Sequence, residues 1–288
     1  MQSTNVQTLL SQATHKFKTR HIPEPYLDAE VLLSFVLGKD RTWLLAHNTD
    51  TVPARAHKRF AALVKRRMTF EPIAYLTGEQ EFYGRMFSVT KSVLIPRPKT
   101  ELLIEEALAH IPIDKKILIA DVGTGSGNIA VTLACERPRI RIIATDTSTR
   151  AINIAQKNAK RHGVNGRIHF LHGSLLAPLR TTKPDILLTN LPYVPASRKL
   201  CTAAERATAH EPTLALSGSR KNKNGRAVLL HFLGQLHTWK NKPHVVLMEV
   251  GSDQYAAIQK AAQVLAPEFS WSLHAPLGGK AHVLIGKE

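Results

Sequence analysis

The chain has 288 residues, with 39 Lys+Arg against 22 Asp+Glu, 14 His, two Cys and 43% hydrophobic residues. That length suits one large domain or two unequal ones, and the apolar content is enough for a packed core, which excludes a disordered chain. No run approaches the ~18 apolar residues of a membrane span, and Cys135 and Cys201 are too few for a disulfide framework or a four-cysteine zinc site. The composition therefore reads as a reduced, soluble, cytoplasmic protein. The net charge of +17 suits either an acidic or polyanionic partner or a solubility trait, and composition does not choose between them.

The first 23 residues hold no acid and contain Lys16, Lys18 and Arg20, a faint likeness to a transit peptide. The spacing of Val6, Leu9, Leu10, Ala13 and Phe17 predicts an amphipathic helix instead. A second helix is predicted over 25–37, with Leu27, Val31, Leu32, Phe35 and Val36 on one face and Gly38 as its stop. A third runs over 53–68, where Phe60, Leu63 and Val64 oppose Arg55, Lys58, Arg59, Lys65, Arg66 and Arg67. Residues 81–89 predict a short hairpin around Gly84. Pro96 and Pro98 keep Ile95 and Arg97 extended, and 100–109 is helical again.

From residue 116 apolar runs alternate with helical patterns. The strands are predicted at 117–120, 142–144, 168–171, 186–188 and 245–250, with helices at 150–162 and 252–265. The rhythm predicts a doubly wound α/β sheet with a mainly parallel core. The last pair, 271–273 and 283–285, predicts an antiparallel hairpin. The expected domains are a helical one over 1–72, a hairpin linker over 73–97 and a sheet domain over 98–288.

Two strand ends carry candidate chemistry. The first strand runs into Asp121-Val122-Gly123-Thr124-Gly125-Ser126-Gly127. Glycines at a strand-to-helix turn let backbone approach a ligand, although such a turn alone is also an ordinary structural device. The pattern is neither a phosphate-binding P-loop nor the dinucleotide G-x-G-x-x-G. The second strand ends at Asp146, where a carboxylate can take both ribose hydroxyls of an adenosine or cap the next helix. Turn and acid together read as a nucleoside site. The fourth strand ends in Asn190-Leu191-Pro192-Tyr193. A side-chain carbonyl, a backbone carbonyl and a flat ring can hold a planar NH2 group by both its hydrogens, though Asn-x-Pro is also a common turn. The His spacings match no metal motif, so no metal is expected.

Asn190–Tyr193 is similar to the N-P-P-Y motif of S-adenosylmethionine-dependent methyltransferases that modify an amino or amide nitrogen. Asp121–Gly127 matches their D-x-G-x-G-x-G loop. Leu94-Ile95-Pro96-Arg97-Pro98-Lys99-Thr100-Glu101 resembles the L-I-P-R-P-x-T-E signature of the bacterial release factor glutamine methyltransferases. Gly78-x-x-x-Phe82-Tyr83-Gly84, Glu211-Pro212-x-x-Ala215-Leu216 and Glu249-Val250-Gly251-x-x-Gln254 fit the same family in order and spacing. The likeness covers nearly the whole chain and leaves no room for a transit peptide.

The resemblance implies a Rossmann-like class I methyltransferase sheet with a small N-terminal helical domain that recognises the substrate. It implies S-adenosylmethionine as cofactor, with Asp121, Gly123, Thr124, Gly125, Ser126 and Gly127 at its methionine and ribose part. Asp146 would take the ribose hydroxyls, Leu175 would border the adenine, and Asn190 would lie beside the methyl donor. Asn190, Leu191, Pro192 and Tyr193 would be the catalytic set and, with Arg97 and Glu211, would bind substrate. That substrate is the glutamine of the Gly-Gly-Gln loop of class 1 peptide chain release factors. The implied enzyme is a cytoplasmic monomer that needs neither membrane nor nucleic acid. Three places depart from the family: Leu191 stands where proline is usual, Lys99 where an acid is usual, and Gly278-Gly279-Lys280-Ala281-His282-Val283 lacks the Asp-Arg that many relatives carry before the last strand.

Two other readings fit the residues. One is a methyltransferase acting on an exocyclic amine of RNA or DNA, which the +17 suits. The other is a non-catalytic basic protein bound to the ribosome. The charge is no tail: 1–70 carry +6, 71–110 carry −2 and 111–288 carry +13.

Overall fold

The structure is a computed structural model that describes residues 4–219, 221–275 and 282–288. The chain divides into two compact units. The described residues up to Glu79 form one with Lys199–His210; those of Gln80–Arg198 and Glu211–Glu288 form the other.

The first unit is helical. α1 (Val6–Thr19) buries Val6, Leu9, Leu10, Ala13 and Phe17, the positions its spacing singles out. Asn5 starts it by accepting a hydrogen bond from Thr8 N at 2.8 Å. α2 (Pro25–Leu37) ends at left-handed Gly38, as expected. Its buried face is different from the expected one. Ala29, Leu32, Leu33 and Val36 face the core, while Leu27 and Phe35 are exposed. The helix is apolar almost all round, so its sequence does not select one stripe. The short α3 (Arg41–Ala46) has too few turns to show a period. α4 (Ala54–Arg67) buries Phe60, Leu63 and Val64.

Arg67 is also buried, against its expected place on the solvent side. Its Nε donates to Asp28 Oδ2 at 2.7 Å and its Nη1 to the Glu71 carbonyl at 3.2 Å. Burial outweighs the attraction of Arg67 and raises the Asp28 carboxyl above its ordinary value. Removing one member of such a pair leaves an uncompensated buried charge. Arg67→Ala is expected to destabilise the protein by about 3–5 kcal/mol in thermal melts. Arg55→Ala, on the exposed side of α4, should melt like the wild type.

α5 (Ile73–Thr77) buries Ala74, Tyr75 and Leu76. Leu76 joins the same apolar cluster as α1, α2 and α4, so residues 73–79 belong with the helices rather than opening a linker. The remainder of the expected linker belongs to the second unit. β1 (Glu79–Phe82) and β2 (Arg85–Ser88) form the predicted hairpin. Tyr83 and Gly84 have φ of 51° and 69°, as a two-residue type I′ turn requires. Phe82 and Phe87 enter the core under the large sheet.

α6 (Glu101–His110) precedes the alternating part. There β3 (Leu118–Val122), α7 (Asn128–Glu136), β4 (Arg141–Asp146), α8 (Thr149–Arg161), β5 (Ile168–His172) and β6 (Ile186–Thr189) follow in order. The chain then gives α9 (Ala203–Thr208) to the first unit. Ala203 packs on that unit's core, and the Arg206 guanidinium lies 5.1 Å from the centre of the Phe70 ring. The expected single domain over 98–288 is thus interrupted at 199–210. α10 (Thr213–Ser217), α11 (Ala227–Thr238), β7 (Val245–Val250), α12 (Tyr255–Leu265), β8 (Ser270–His274) and β9 (His282–Lys287) complete the second unit.

The seven-stranded sheet has the order β5-β4-β3-β6-β7-β9-β8. Its first five strands are parallel and β9 is antiparallel to both neighbours, so the final hairpin is as predicted. The link at 276–281 lies outside the described residues. Strand alternation places Ile119 on one face and Ala120 and Val122 on the other. The first face packs with α6 and α7, the second with α11 and α12, giving three layers. Strand order reverses at β3, between β4 and β6. That switch point opens a crevice at the carboxyl ends of the strands.

Candidate active site

Register brings the two candidate loops together. Val122 pairs with Thr189 and with Thr145. The chain therefore leaves three adjacent strands at Gly123, Asn190 and Asp146. A cavity of about 520 Å³ opens there, a size that suits a small ligand. It is lined by Gly123, Thr124, Gly125, Ser126, Asp146, Gly173, Ser174, Leu175, Asn190, Leu191, Pro192 and Arg97, among others.

The glycine loop is fastened to β4. Gly123 N and Thr124 N both donate to the Thr145 carbonyl, at 2.8 and 2.9 Å. Gly123 has φ +81°, and a Cβ there would stand 3.3 Å from Leu191 Cδ2. Glycine thus lets the loop lie close over the end of β6. Asp146 Oδ2 accepts from Gly125 N at 2.9 Å and its Oδ1 from Ser148 N at 2.8 Å. Ser148, not Asp146, caps α8 by accepting from Ala151 N. Asp146 therefore braces the glycine loop and faces the cavity. Burial raises its carboxyl above the ordinary value, against the pull of those backbone donors.

Asp121, Gly127 and Tyr193 do not line the cavity. Asp121 is fully buried below the loop, where its Oδ2 accepts from Thr124 Oγ1 at 2.6 Å. Its Oδ1 has no hydrogen-bond partner among the described residues. Burial, with a smaller push from the Asp146 charge, raises this carboxyl to about 7, against the opposing Thr124 hydrogen bond. A carboxyl raised by folding binds its proton more tightly in the native state than in the unfolded chain. The stability this confers is present at low pH and lost as pH rises from the ordinary carboxyl range through about 7. The protein without ligand should melt lower at about pH 8 than at about pH 5, and Asp121→Asn should flatten that slope. Parallel slopes for the two proteins would refute the assignment.

At the end of β6, Asn190 Nδ2 donates to Thr100 Oγ1 at 3.1 Å, so its Oδ1 points away from Thr100. Leu191 is buried and belongs to the apolar cluster on the second face of the sheet that also holds Val122 and Leu229. Leucine here therefore fills space as well as keeping the backbone carbonyl. The Tyr193 hydroxyl donates to Glu249 Oε1 at 2.8 Å. The Tyr193 carbonyl accepts from Gln254 Nε2 at 2.9 Å. Burial, and then the Glu249 charge, holds the Tyr193 phenol far above its ordinary value. The Lys99 ammonium contacts the Tyr193 hydroxyl and lies 4.6 Å from the centre of its ring. Lys99 thus does more than delete an acid from this region: it supplies a cation.

Arg97 reaches the cavity wall, but Glu211 does not. Glu211 lies behind it, contacting Arg97 through Oε1 and accepting from Ile95 N through Oε2 at 3.1 Å. It fixes the Pro96–Pro98 segment. Sequence reasoning missed Thr100, Glu249, Asn222 and Gln254. All four are buried polar residues, and their pairing is visible only after folding. Thr100, Glu249 and Gln254 stand inside family motifs, which was the available signal; Asn222 stands in none.

The glycine cradle and the braced Asp146 at the cavity wall fit a ligand that carries hydroxyls and lies close against backbone. Comparison with known proteins agrees. The model of the PrmC N-terminal domain matches residues 8–78, and that of the methyltransferase small domain matches 98–246. A release factor glutamine methyltransferase of Moorella thermoacetica is 37% identical over 256 residues, covering 89% of each chain. One of Coxiella burnetii is 37% identical over 239 residues, covering 83% of each. A crystal structure of a methyltransferase from Pyrococcus furiosus has a TM-score of 0.51 at 14% identity, over 79% of this chain and 96% of that one. At that identity it bears on the fold alone.

Proposed function

Because the chain belongs to the release factor glutamine methyltransferase family, we propose that it methylates the side-chain amide nitrogen of the glutamine in the Gly-Gly-Gln motif of class 1 peptide chain release factors. It is a methyltransferase, and S-adenosylmethionine is its cofactor. The observation that carries the reading is Asn190-Leu191-Pro192-Tyr193 at the switch point, one strand from the glycine loop.

When bound, S-adenosylmethionine supplies an activated methyl group on a sulfonium. The residues that would hold it are Gly123–Gly125 and Ser126 around its middle, Asp146 at the ribose and Leu175 at the adenine. Asp121 supports the loop from below. Asn190 Oδ1 and the Leu191 carbonyl would accept the two hydrogens of the substrate amide, and the Tyr193 ring, next along the turn, would offer the flat face. An amide nitrogen is a poor nucleophile because its lone pair is delocalised. Two fixed acceptors orient that lone pair and stabilise the positive charge that develops on nitrogen. The proton is lost to water once the nitrogen carries that charge, so no strong base is required. Arg97, held by Glu211, would meet the substrate chain at the cavity mouth.

We take the enzyme to be a monomer that acts on protein without nucleic acid. Among the described residues no helix is long and apolar enough to cross a membrane. Both cysteines are free, which supports a cytoplasmic setting. The test is mass spectrometry of the Gly-Gly-Gln peptide of a class 1 release factor after incubation with enzyme and cofactor. One added methyl group on glutamine is expected. Methylation of ribosomal or transfer RNA with an unmodified release factor would overturn the reading.

A further inference from the structure

We propose that Glu249 is the positioning residue that sets the hydrogen-bond polarity of Asn190 and Tyr193 together. The inference rests on the roles given to those two residues above. Glu249 stands near the carboxyl end of β7, and Met248 pairs with Thr189 of β6. The register therefore puts Glu249 beside Asn190. It is 2% exposed. Its Oε2 accepts from Thr100 Oγ1 at 2.6 Å and its Oε1 from the Tyr193 hydroxyl at 2.8 Å. The Lys99 ammonium lies 3.4 Å from Oε1.

The logic is one of donors and acceptors. An ionised carboxylate only accepts, while a hydroxyl has one proton to give. Three donors converge on Glu249, so the single proton of Thr100 is committed to it. Thr100 Oγ1 can then only accept from Asn190. Asn190 must present its NH2 group to Thr100, and its Oδ1 must face the opposite way. That is the orientation in which Asn190 can accept a hydrogen from a substrate amide. Tyr193 is subject to the same rule: its proton goes to Glu249, and its oxygen can only accept, which it does from Lys99. The amide of an asparagine is otherwise free to turn over, since its two ends have the same shape. Thr100 and Glu249 are both buried, so water competes little for these groups.

The test uses the full chain. Glu249→Gln keeps the shape and adds an NH2 group that can donate to Thr100. Thr100 is then free to donate to Asn190 Oδ1, and the amide can reverse. We expect kcat on the release factor to fall about 10- to 100-fold. KM and cofactor Kd should stay within about twofold, because the lost interaction concerns the reacting nitrogen alone. Thr100→Val should act in the same direction, and Thr100→Ser should restore turnover to within about threefold. The double variant Glu249→Gln/Thr100→Val should be no worse than Glu249→Gln, since both break one relay. Additive losses, a loss of cofactor binding equal to the loss of kcat, or unchanged kcat would each overturn the proposal.

A second readout needs no turnover. The side-chain NH2 resonances of Asn190, identified by their absence in Asn190→Ala, should shift in Glu249→Gln and Thr100→Val and stay in place in Thr100→Ser. Unmoved resonances in the first two would overturn the proposal. If the wild type leaves the release factor unmodified while the resonances shift as stated, the substrate reading fails and the positioning role stands.

Discussion

Replacing Asn190 with alanine is expected to lower kcat by about 10²–10³-fold while cofactor Kd stays within a factor of a few. The two effects separate because the two functions hang on different supports. The glycine loop is tied to Thr145 and Asp146 on β4, and none of those bonds passes through Asn190. On the proposed reading, truncation removes one of the two acceptors for the substrate amide. It also leaves Thr100 without its donor, but Thr100 keeps its bond to Glu249. The expected loss corresponds to about 2.7–4 kcal/mol of transition-state stabilisation, the scale seen when one preorganised polar group is removed. Initial rates on the release factor, with calorimetric titration of the cofactor, would check both halves. Turnover close to wild type would remove Asn190 from the chemistry.

What the sequence revealed depended on whether the signal was local. The helix at 6–19 was legible residue by residue because its apolar stripe is narrow. The strands were legible as apolar runs, since a strand covered on both faces has no polar side. At 25–37 the element was legible but not its orientation, because an all-round apolar helix leaves the choice to tertiary packing. Arg67 and Asp28 are 39 positions apart, and nothing in either neighbourhood announces a buried pair. The return of 199–210 to the first unit is likewise a matter of which surfaces meet, not of composition.

The site divides in the same way. Gly123, Gly125, Asp146 and Asn190 stand at strand ends, and a strand end is a local event that glycine, acid or Asn-x-Pro marks directly. Their supports lie far off in sequence. Thr100 and Glu249 are 149 positions apart, and Ile95 and Glu211 are 116 apart. Such pairs depend on register between strands that the sequence does not number. The family motifs contained the supporting residues but did not say what each one holds. The excess of positive charge is placed no better by the fold: one cation of it, Lys99, sits on Tyr193, where it serves the site rather than a distant partner.

The second large effect is expected at a residue that touches neither cofactor nor amide. Gly225 has φ +74°, and a Cβ there would stand 2.1 Å from the Tyr193 carbonyl oxygen and 2.9 Å from Gln254 Nε2. Neither neighbour can retreat. Gln254 is buried and donates to that same carbonyl. The loop bearing Gly225 is anchored by Asn222, whose Nδ2 donates to the Ser217 carbonyl at 2.8 Å. Gly225→Ala must therefore push the Tyr193 peptide, and with it the Leu191–Tyr193 turn, out of line. A displacement of about 1 Å at a reacting centre can cost about 10²-fold in rate, and that is the expected loss of kcat. Overpacking should also destabilise the protein by about 1–3 kcal/mol. Gly166→Ala is the control, since a Cβ there meets nothing within 4 Å and its φ is outside the left-handed region. Melting curves and initial rates of the two variants side by side separate a general glycine effect from displacement of Tyr193. If Gly225→Ala turned over as fast as Gly166→Ala, the position of the Tyr193 peptide would not matter to the reaction.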